Sequence, residues 1–128
     1  MYPTELKYTK DHEWVKDLGD GTALVGITNY AQDALGDVVF VDLPETGATF
    51  AEGEEFGTVE SVKTVSELFM PTPCEIVETN GGLNDHPESV NEDPYGKGWM
   101  IEVRLSDGLT GDLLDAPAYE ALVGAESH

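Results

Sequence analysis

Short apolar stretches, each ended after a few residues by Gly, Pro, Asn or Asp, follow one another along most of the chain. Alternation of apolar and polar positions over such lengths is typical of strands in a small β-rich domain. The predicted strands are residues 12–17, 22–27, 37–43, 55–61, 64–70, 74–80 and 99–105. The predicted turns, in which Gly and Asn permit positive φ, are residues 19–21, 44–47, 52–54, 80–82 and 93–98.

Two segments carry the signals of short helices at the periphery of this β-rich domain. Thr28 has the side chain of an N-cap, which predicts a helix near 28–35. Near 110–123 the sequence predicts two short helical pieces that are split by Pro117, with Gly124 ending the second piece.

The length and composition of the chain are those of one globular domain. At 128 residues and 40% hydrophobic content, the chain can bury a core but is too short for two domains of ordinary size. No internal repeat or low-complexity linker divides it. We therefore expect a single domain over residues 1–128, with its core at about 22–105.

The charge balance excludes one class of function. Six basic residues against 26 acidic ones give a net charge of −20. Nucleic-acid binding is excluded as a function, because the chain has too few cations to neutralise phosphates. The acidity favours solubility and mutual repulsion, and adaptation to high salt is the alternative interpretation.

Membrane, disulfide and metal signals are lacking in the sequence. No stretch approaches the roughly 20 apolar residues of a spanning helix. One cysteine excludes an internal disulfide and suits a reducing compartment, so a cytoplasmic protein without a membrane partner is expected. His12, His86 and His128 are far apart, without an HExxH motif or paired cysteines, so no metal site is predicted.

One lysine stands apart from the other charged residues. Between Lys16 and Lys97 the chain has 17 acidic residues and no cation other than Lys63, which falls between two predicted strands at the tip of a tight hairpin. A Schiff-base lysine needs a lowered pKa, whereas the nearby Glu60 and Glu67 favour the ammonium form. An exposed lysine on a rigid turn suits modification by another enzyme, and an ordinary solvated lysine is the alternative.

Four stretches of the sequence resemble the family of H proteins of the glycine cleavage system: GITNYAQDALGDVVFVDLPETG, VESVKTVSELFMP, EIVETN and SVNEDPYGKGW. HEW near the start and LLDAPAYEAL near the end match the family as well, so the resemblance covers residues 6 to about 123. The motif ESVK, followed by a small residue and then Ser and an acid, is specific. Related lipoyl domains of 2-oxo acid dehydrogenases usually have DKA, and biotin carriers have MKM.

The resemblance implies that Lys63 carries lipoate in amide linkage. It also implies a mainly β fold, the barrel-sandwich hybrid, in which two small antiparallel sheets pack face to face with short helices at the edges. The expected protein is a monomer and a non-catalytic carrier subunit. A rigid base that presents a flexible arm fits this task, and tethering raises the effective concentration at each transfer.

The implied partners are the enzymes of glycine cleavage. A pyridoxal-phosphate glycine decarboxylase loads an aminomethyl group onto the lipoyl arm, and an aminomethyltransferase passes its methylene to tetrahydrofolate. Dihydrolipoyl dehydrogenase then reoxidises the arm, which a lipoate ligase or a lipoyl/octanoyl transferase first attaches. The alternative function is a lipoate relay that donates lipoyl groups to other enzymes. An unmodified binding module with a structural lysine is a third hypothesis.

The family shelters the loaded arm in a cleft, and the matching positions here are Glu13, Ile27 and Glu67. A carboxylate beside the cationic aminomethyl group would form a charge-assisted hydrogen bond. The family often has Asp where this chain has Glu67, which shifts the carboxylate by one methylene. The alternative is that both glutamates are solvated strand residues.

Several other residues are predicted to be structural. Cys74 replaces a common turn glycine of the family and is expected to be a small packed residue rather than a reactive thiol. Tyr95 and Trp99 are expected to pack, as large aromatic side chains usually do. Ala34 stands where the family often has His, so no role of that His is expected here.

Overall fold

The computed structural model describes residues 3–106 and 113–126, whose regular structure is mostly strand. The strands are β1 (Lys7–Tyr8), β2 (Glu13–Asp17), β3 (Thr22–Ile27), β4 (Val38–Asp42), β5 (Thr49–Phe50), β6 (Glu55–Ser61), β7 (Val65–Phe69), β8 (Cys74–Thr79) and β9 (Ile101–Leu105). The helices are α1 (Asn29–Leu35), α2 (Ser89–Glu92) and α3 (Ala116–Glu126), with a 3₁₀ turn at Gly81–Asn84. All seven predicted strands are present, with ends that differ by no more than two residues.

The strands form two sheets in which every pairing is antiparallel. One sheet has the order β1-β2-β3-β9-β8-β5 and the other the order β4-β6-β7. The main core consists of buried side chains from both sheets, among them Val25, Ile76 and Val103 from the larger and Val41 and Val59 from the smaller. This arrangement agrees with the predicted barrel-sandwich hybrid.

At β2 the larger sheet is covered by apolar side chains on both faces. Successive side chains of a strand point to opposite faces, and on β2 both Trp14 and Val15 are completely buried. Val15 belongs to the core between the sheets, whereas Trp14 belongs to a second cluster with Tyr8 and Tyr119 of α3. The C-terminal helix thus packs over the outer face of this sheet at β1 and β2.

The prediction of two helical pieces split by Pro117 was wrong. Pro117 lies in the first turn of α3. A backbone N–H in that turn would have no intrahelical acceptor, so the lack of an N–H in proline costs no helical hydrogen bond. The helix also continues past Gly124. Asp115 caps the helix, since its carboxylate accepts a hydrogen bond from the Ala118 N–H at 3.0 Å. Leu114 pairs with Tyr8 as an isolated bridge instead of continuing a helix. Residues 107–112 lie outside the described part of the chain.

Four short elements were not predicted. The strands β1 and β5 have two residues each, which is too short for an alternating pattern to be visible. Residues 81–84 form a 3₁₀ turn where a plain turn was predicted at 80–82, and α2 is a single turn of four residues.

Two asparagine side chains cover the outer edge of β4. The Asn84 amide donates to the carbonyl of Val41 and accepts from its N–H, both at 2.9 Å. The Asn91 side chain accepts from the Val38 N–H at 2.9 Å. Backbone groups on an edge strand need such partners when water does not reach them, and here side chains supply them.

Gly57 of β6 lies where no side chain can be accommodated. A Cβ on Gly57 would clash with the backbone oxygen of Asp42 on β4, an atom that cannot move without disturbing the strand pairing. We expect Gly57→Ala to lower the free energy of unfolding by at least about 1–3 kcal/mol, the usual cost of overpacking. Urea denaturation measures this change. Gly81→Ala is the matched control, because nothing lies within 4 Å of its Cβ position, and an equal stability of both variants would contradict the prediction.

Candidate functional site

Lys63 lies at the tip of the hairpin formed by β6 and β7, as predicted. The connection consists of Val62, Lys63 and Thr64, and the Lys63 side chain is exposed. The backbone N–H of Ser61 donates to the carbonyl of Thr64 at 2.8 Å and closes the turn. The primary amine is therefore presented to solvent from a short and closed loop.

The hydroxyl of Ser61 holds the loop from inside. It accepts hydrogen bonds from the N–H groups of Lys63 and Thr64, at 3.4 and 3.2 Å, and donates to the Thr64 carbonyl at 3.2 Å. Ser61 itself is buried. Position 61 requires a small side chain that can both donate and accept a hydrogen bond. The serine of the ESVK motif meets this requirement and thereby orders the backbone around Lys63.

The tip is also fastened to the end of α1. The Val62 N–H donates to the Asp37 carbonyl at 3.0 Å, and the Asn91 amide donates to the Gly36 carbonyl at 2.8 Å. Gly36 ends α1 with a φ of 84°, a conformation that favours glycine. A Cβ there would lie 3.4 Å from Cε of Lys63, so the stem of the lysine passes along the helix end.

A cleft of about 160 Å³ opens beside α1. Ile27 and Glu67 both line it, together with the apolar side chains of Leu35 and Leu68. The rings of His12 and Tyr30, which lie 4.8 Å apart, also face it. Since α1 both lines this cleft and ends at the stem of Lys63, an arm attached to the lysine begins next to the cleft.

Glu13 does not line this cleft. It faces a neighbouring cavity with Thr9 and Met70 and is only 1% exposed. Its carboxyl accepts from the Thr9 hydroxyl at 2.8 Å and from the Phe69 N–H at 3.2 Å. Burial raises the pKa of Glu13 to about 8, although these two hydrogen bonds oppose the shift, and nearby Asp11 adds to it. Of the predicted pair of acids, only Glu67 therefore lines the cleft.

A network behind the cleft joins the C-terminal helix to α1, and the sequence analysis missed it. The Tyr119 hydroxyl is 2.7 Å from both His12 Nδ1 and the hydroxyl of Thr28, the residue that caps α1. His12 has a φ of 69°, which is uncommon for a residue with a side chain. The His of HEW was the available signal, but its partner is 107 residues away.

Three residues that were predicted to be structural pack as expected. Cys74 is 2% exposed, and burial raises the pKa of its thiol to about 12, which suppresses the reactive thiolate. Tyr95 and Trp99 pack against the cluster around Trp14, whose ring nitrogen donates to the Pro94 carbonyl at 2.9 Å.

Within 3–106 and 113–126, no group of three or more His, Cys, Asp or Glu is arranged to hold a metal ion. Over the same ranges, no helix is both long enough and apolar enough to cross a membrane.

Comparison with known proteins gives one consistent family. Residues 6–126 match the family described as glycine cleavage H-protein. The glycine cleavage system H protein of Chromohalobacter salexigens is 55% identical over 125 residues, covering 97% of this chain and 95% of that protein. That of Chlorobium luteolum is 56% identical, covering 95% and 97%. The crystal structure of a glycine cleavage system H protein from Mycobacterium marinum superposes with a TM-score of 0.87 at 42% identity, covering 99% of this chain and 100% of that one.

The buried Glu13 predicts a pH dependence of stability that Gln should remove. An unfolded Glu ionises near its ordinary pKa of 4.5, whereas the folded carboxyl keeps its proton up to a pKa of about 8. The stability that the protonated Glu13 carboxyl contributes is therefore complete below the pKa of the unfolded state. It is lost as the pH rises through the pKa of the folded state. Between these values the stability of wild type relative to Glu13→Gln should fall by roughly 1.4 kcal/mol per pH unit.

Urea denaturation of both proteins at about pH 5, 6.5 and 8 measures this difference. Glu92→Gln, which changes an exposed acid on α2, serves as the control and should keep the pH dependence of wild type. Parallel curves for wild type and Glu13→Gln would contradict a raised pKa for Glu13.

Proposed function

This chain belongs to the glycine cleavage H-protein family, the lipoyl carriers of the glycine cleavage system, and we propose that Lys63 is the residue that carries its lipoyl group. The observation that supports this proposal is the position of Lys63. It is the only cation between Lys16 and Lys97, and it is exposed on a closed hairpin tip whose base is fastened to α1.

The residues at the tip fit a lipoyl amide. A primary amine on a four-carbon stem extends from an ordered backbone, and a partly apolar cleft lies along the helix that ends at that stem. When bound, the lipoyl group supplies a dithiolane that accepts a one-carbon unit and electrons. The chain itself supplies the anchor, the rigid base and the cleft, and we propose that it acts as a non-catalytic carrier.

Attachment requires an activated acyl group from another enzyme, because the hairpin tip offers only the amine. A bond forms between Nζ of Lys63 and the acyl carbon, while the bond from that carbon to its leaving group breaks. The proton lost from nitrogen passes to the enzyme or to solvent. A lipoate ligase or a lipoyl/octanoyl transferase provides this chemistry, and we propose either as the partner of the unmodified chain.

The modified chain would meet three further enzymes in turn. We propose glycine decarboxylase, the folate-dependent aminomethyltransferase and dihydrolipoyl dehydrogenase as these partners. In this cycle the cleft retains an arm that carries an ammonium group and releases one that does not. Glu67 is suited to this distinction, because its carboxylate lies at the cleft beside the apolar side chain of Ile27. The buried Glu13 would support the cleft wall through its bond to Phe69.

Lys63→Arg tests the attachment site. Arginine keeps the positive charge but has no primary amine for amide formation, so the variant should fold normally and gain no lipoyl mass when incubated with lipoate ligase, lipoate and ATP. Intact mass spectrometry measures the gain directly. Lys97→Arg, at another exposed lysine, should be modified like wild type. A lipoyl group on Lys63→Arg would overturn the proposed site.

Glu67→Gln tests the role of the cleft acid. A hydrogen bond to a charged group contributes about 1.5–3 kcal/mol, and the exposure of Glu67 reduces that value, so we expect a threefold to tenfold effect. The lipoylated variant, loaded by the decarboxylase and glycine, should release ammonia that much faster in the absence of the aminomethyltransferase. Glu67→Asp should largely restore the wild-type rate, and Glu78→Gln on β8 is the control. Equal ammonia release from all four proteins would remove Glu67 from the mechanism.

A further inference from the structure

Exposed apolar side chains are concentrated around the tip lysine. Among the described residues only five large hydrophobic side chains are exposed, and four of them lie near Lys63: Val39, Phe40, Val62 and Val65. The fifth, Leu18, lies in the turn between β2 and β3. Val62 and Val65 flank the lysine in the hairpin, and Val62 is 69% exposed. Clustered exposure of this kind marks interaction surfaces, whereas isolated exposed apolar residues do not.

Strand register places two members of this group on one face. Phe40 pairs with Glu60, and Glu60 pairs with Val65, so the three side chains form one row across the smaller sheet. Cross-strand partners point to the same side of a sheet, and all three are exposed. The face of the sheet next to the tip therefore presents apolar groups with a carboxylate between them.

A bulge in β4 adds Val39 to this surface. The register shifts between Val38 and Phe40, so that Val39 has no partner of its own on β6. In a regular strand one of two successive side chains would point into the core, but Val39 and Phe40 are each 45% exposed. A bulge re-aims side chains in this way, and here it keeps two adjacent apolar residues at the surface.

Acidic side chains border the apolar group. In the next row of the same face, Asp42 and Glu67 are exposed on either side of Thr58, and Glu60 lies within the first row. No basic residue other than Lys63 is present on these three strands or in the hairpin tip. A complementary partner would thus present an apolar centre bordered by Lys or Arg.

We propose that this surface, formed by Val39, Phe40, Val62 and Val65, docks the acyl-transferring enzyme that attaches lipoate to Lys63. The inference rests on the proposed function. An enzyme that forms a bond to Nζ must bring its active site to the end of the Lys63 side chain, so it contacts the residues beside the hairpin tip. Enzymes that act on the far end of a completed arm do not need access to Nζ, so this requirement does not bring them to this surface.

The test uses the full-length unlipoylated chain and its Phe40→Thr variant. Threonine removes the aromatic ring and has a β-branched side chain, which suits a strand. With lipoate ligase, lipoate and ATP, initial rates of lipoylation are measured by intact mass over a range of carrier concentrations. We expect KM to rise about tenfold, as for the loss of an interface hot spot, with kcat near that of wild type.

Matched variants separate docking from folding. Leu18→Thr, at the one exposed large hydrophobic residue away from the tip among those the structure describes, should stay within about twofold of wild type. Val62→Thr changes a loop side chain and should raise KM even if Phe40→Thr proves unstable in thermal denaturation. Glu60→Gln should slow lipoylation at low salt and have less effect near 1 M salt, where surface charges are screened.

The outcomes are distinguishable. If wild type gains no lipoyl mass at Lys63, the proposed function fails and this inference fails with it. If wild type is modified and Phe40→Thr and Val62→Thr are modified with unchanged KM, only the docking surface is overturned. The docking surface is also overturned if these variants are lipoylated normally and only their reaction with the decarboxylase slows. A wild type that is dimeric in solution, with a monomeric Phe40→Thr variant, would overturn it as well.

Discussion

The hydrogen bonds of the Asn91 amide hold together the junction on which the hairpin tip is supported. The side chain donates to the carbonyl of Gly36 and accepts from the N–H of Val38, which joins the end of α1 to the start of β4. The tip is attached to the same junction through Val62 and Asp37. Only the Lys63 side chain, with any group attached to it, then needs to move. The conformational entropy of ordering the hairpin is therefore lost once, during folding, and not at each encounter with a partner.

Burial of β2 explains the unusual state of one acid. Glu13 lies on β2 directly before Trp14 and Val15, whose side chains fill the two clusters on opposite faces. The Glu13 side chain lies on the same face as Val15 and is only 1% exposed, and it accepts hydrogen bonds from the Thr9 hydroxyl and the Phe69 N–H. In a chain with a charge of −20, a carboxyl that stays protonated at neutral pH also adds no repulsion to the interior.

The parts of the fold that were predicted from the sequence are those with local signals. Alternation identified the seven longer strands, and the position of Lys63 between two of them identified the hairpin tip. Contacts between distant segments had no such signal: the bond from Tyr119 to His12 and the burial of Glu13 depend on how α3 and β7 pack. Pro117 was misinterpreted because proline breaks a helix interior but is tolerated in a first turn, and local pattern did not show where α3 begins.

The two asparagines along β4 restrict how any other chain can be recognised there. With the N–H and carbonyl of Val41 bonded to Asn84 and the N–H of Val38 bonded to Asn91, this edge is blocked against an added strand, which is the usual way that an exposed edge joins chains. Selectivity at this end of the molecule must come from side chains that project from the sheet face. Side chains can be replaced one at a time without disturbing the ladder beneath them, so partner preference can evolve while the fold stays unchanged.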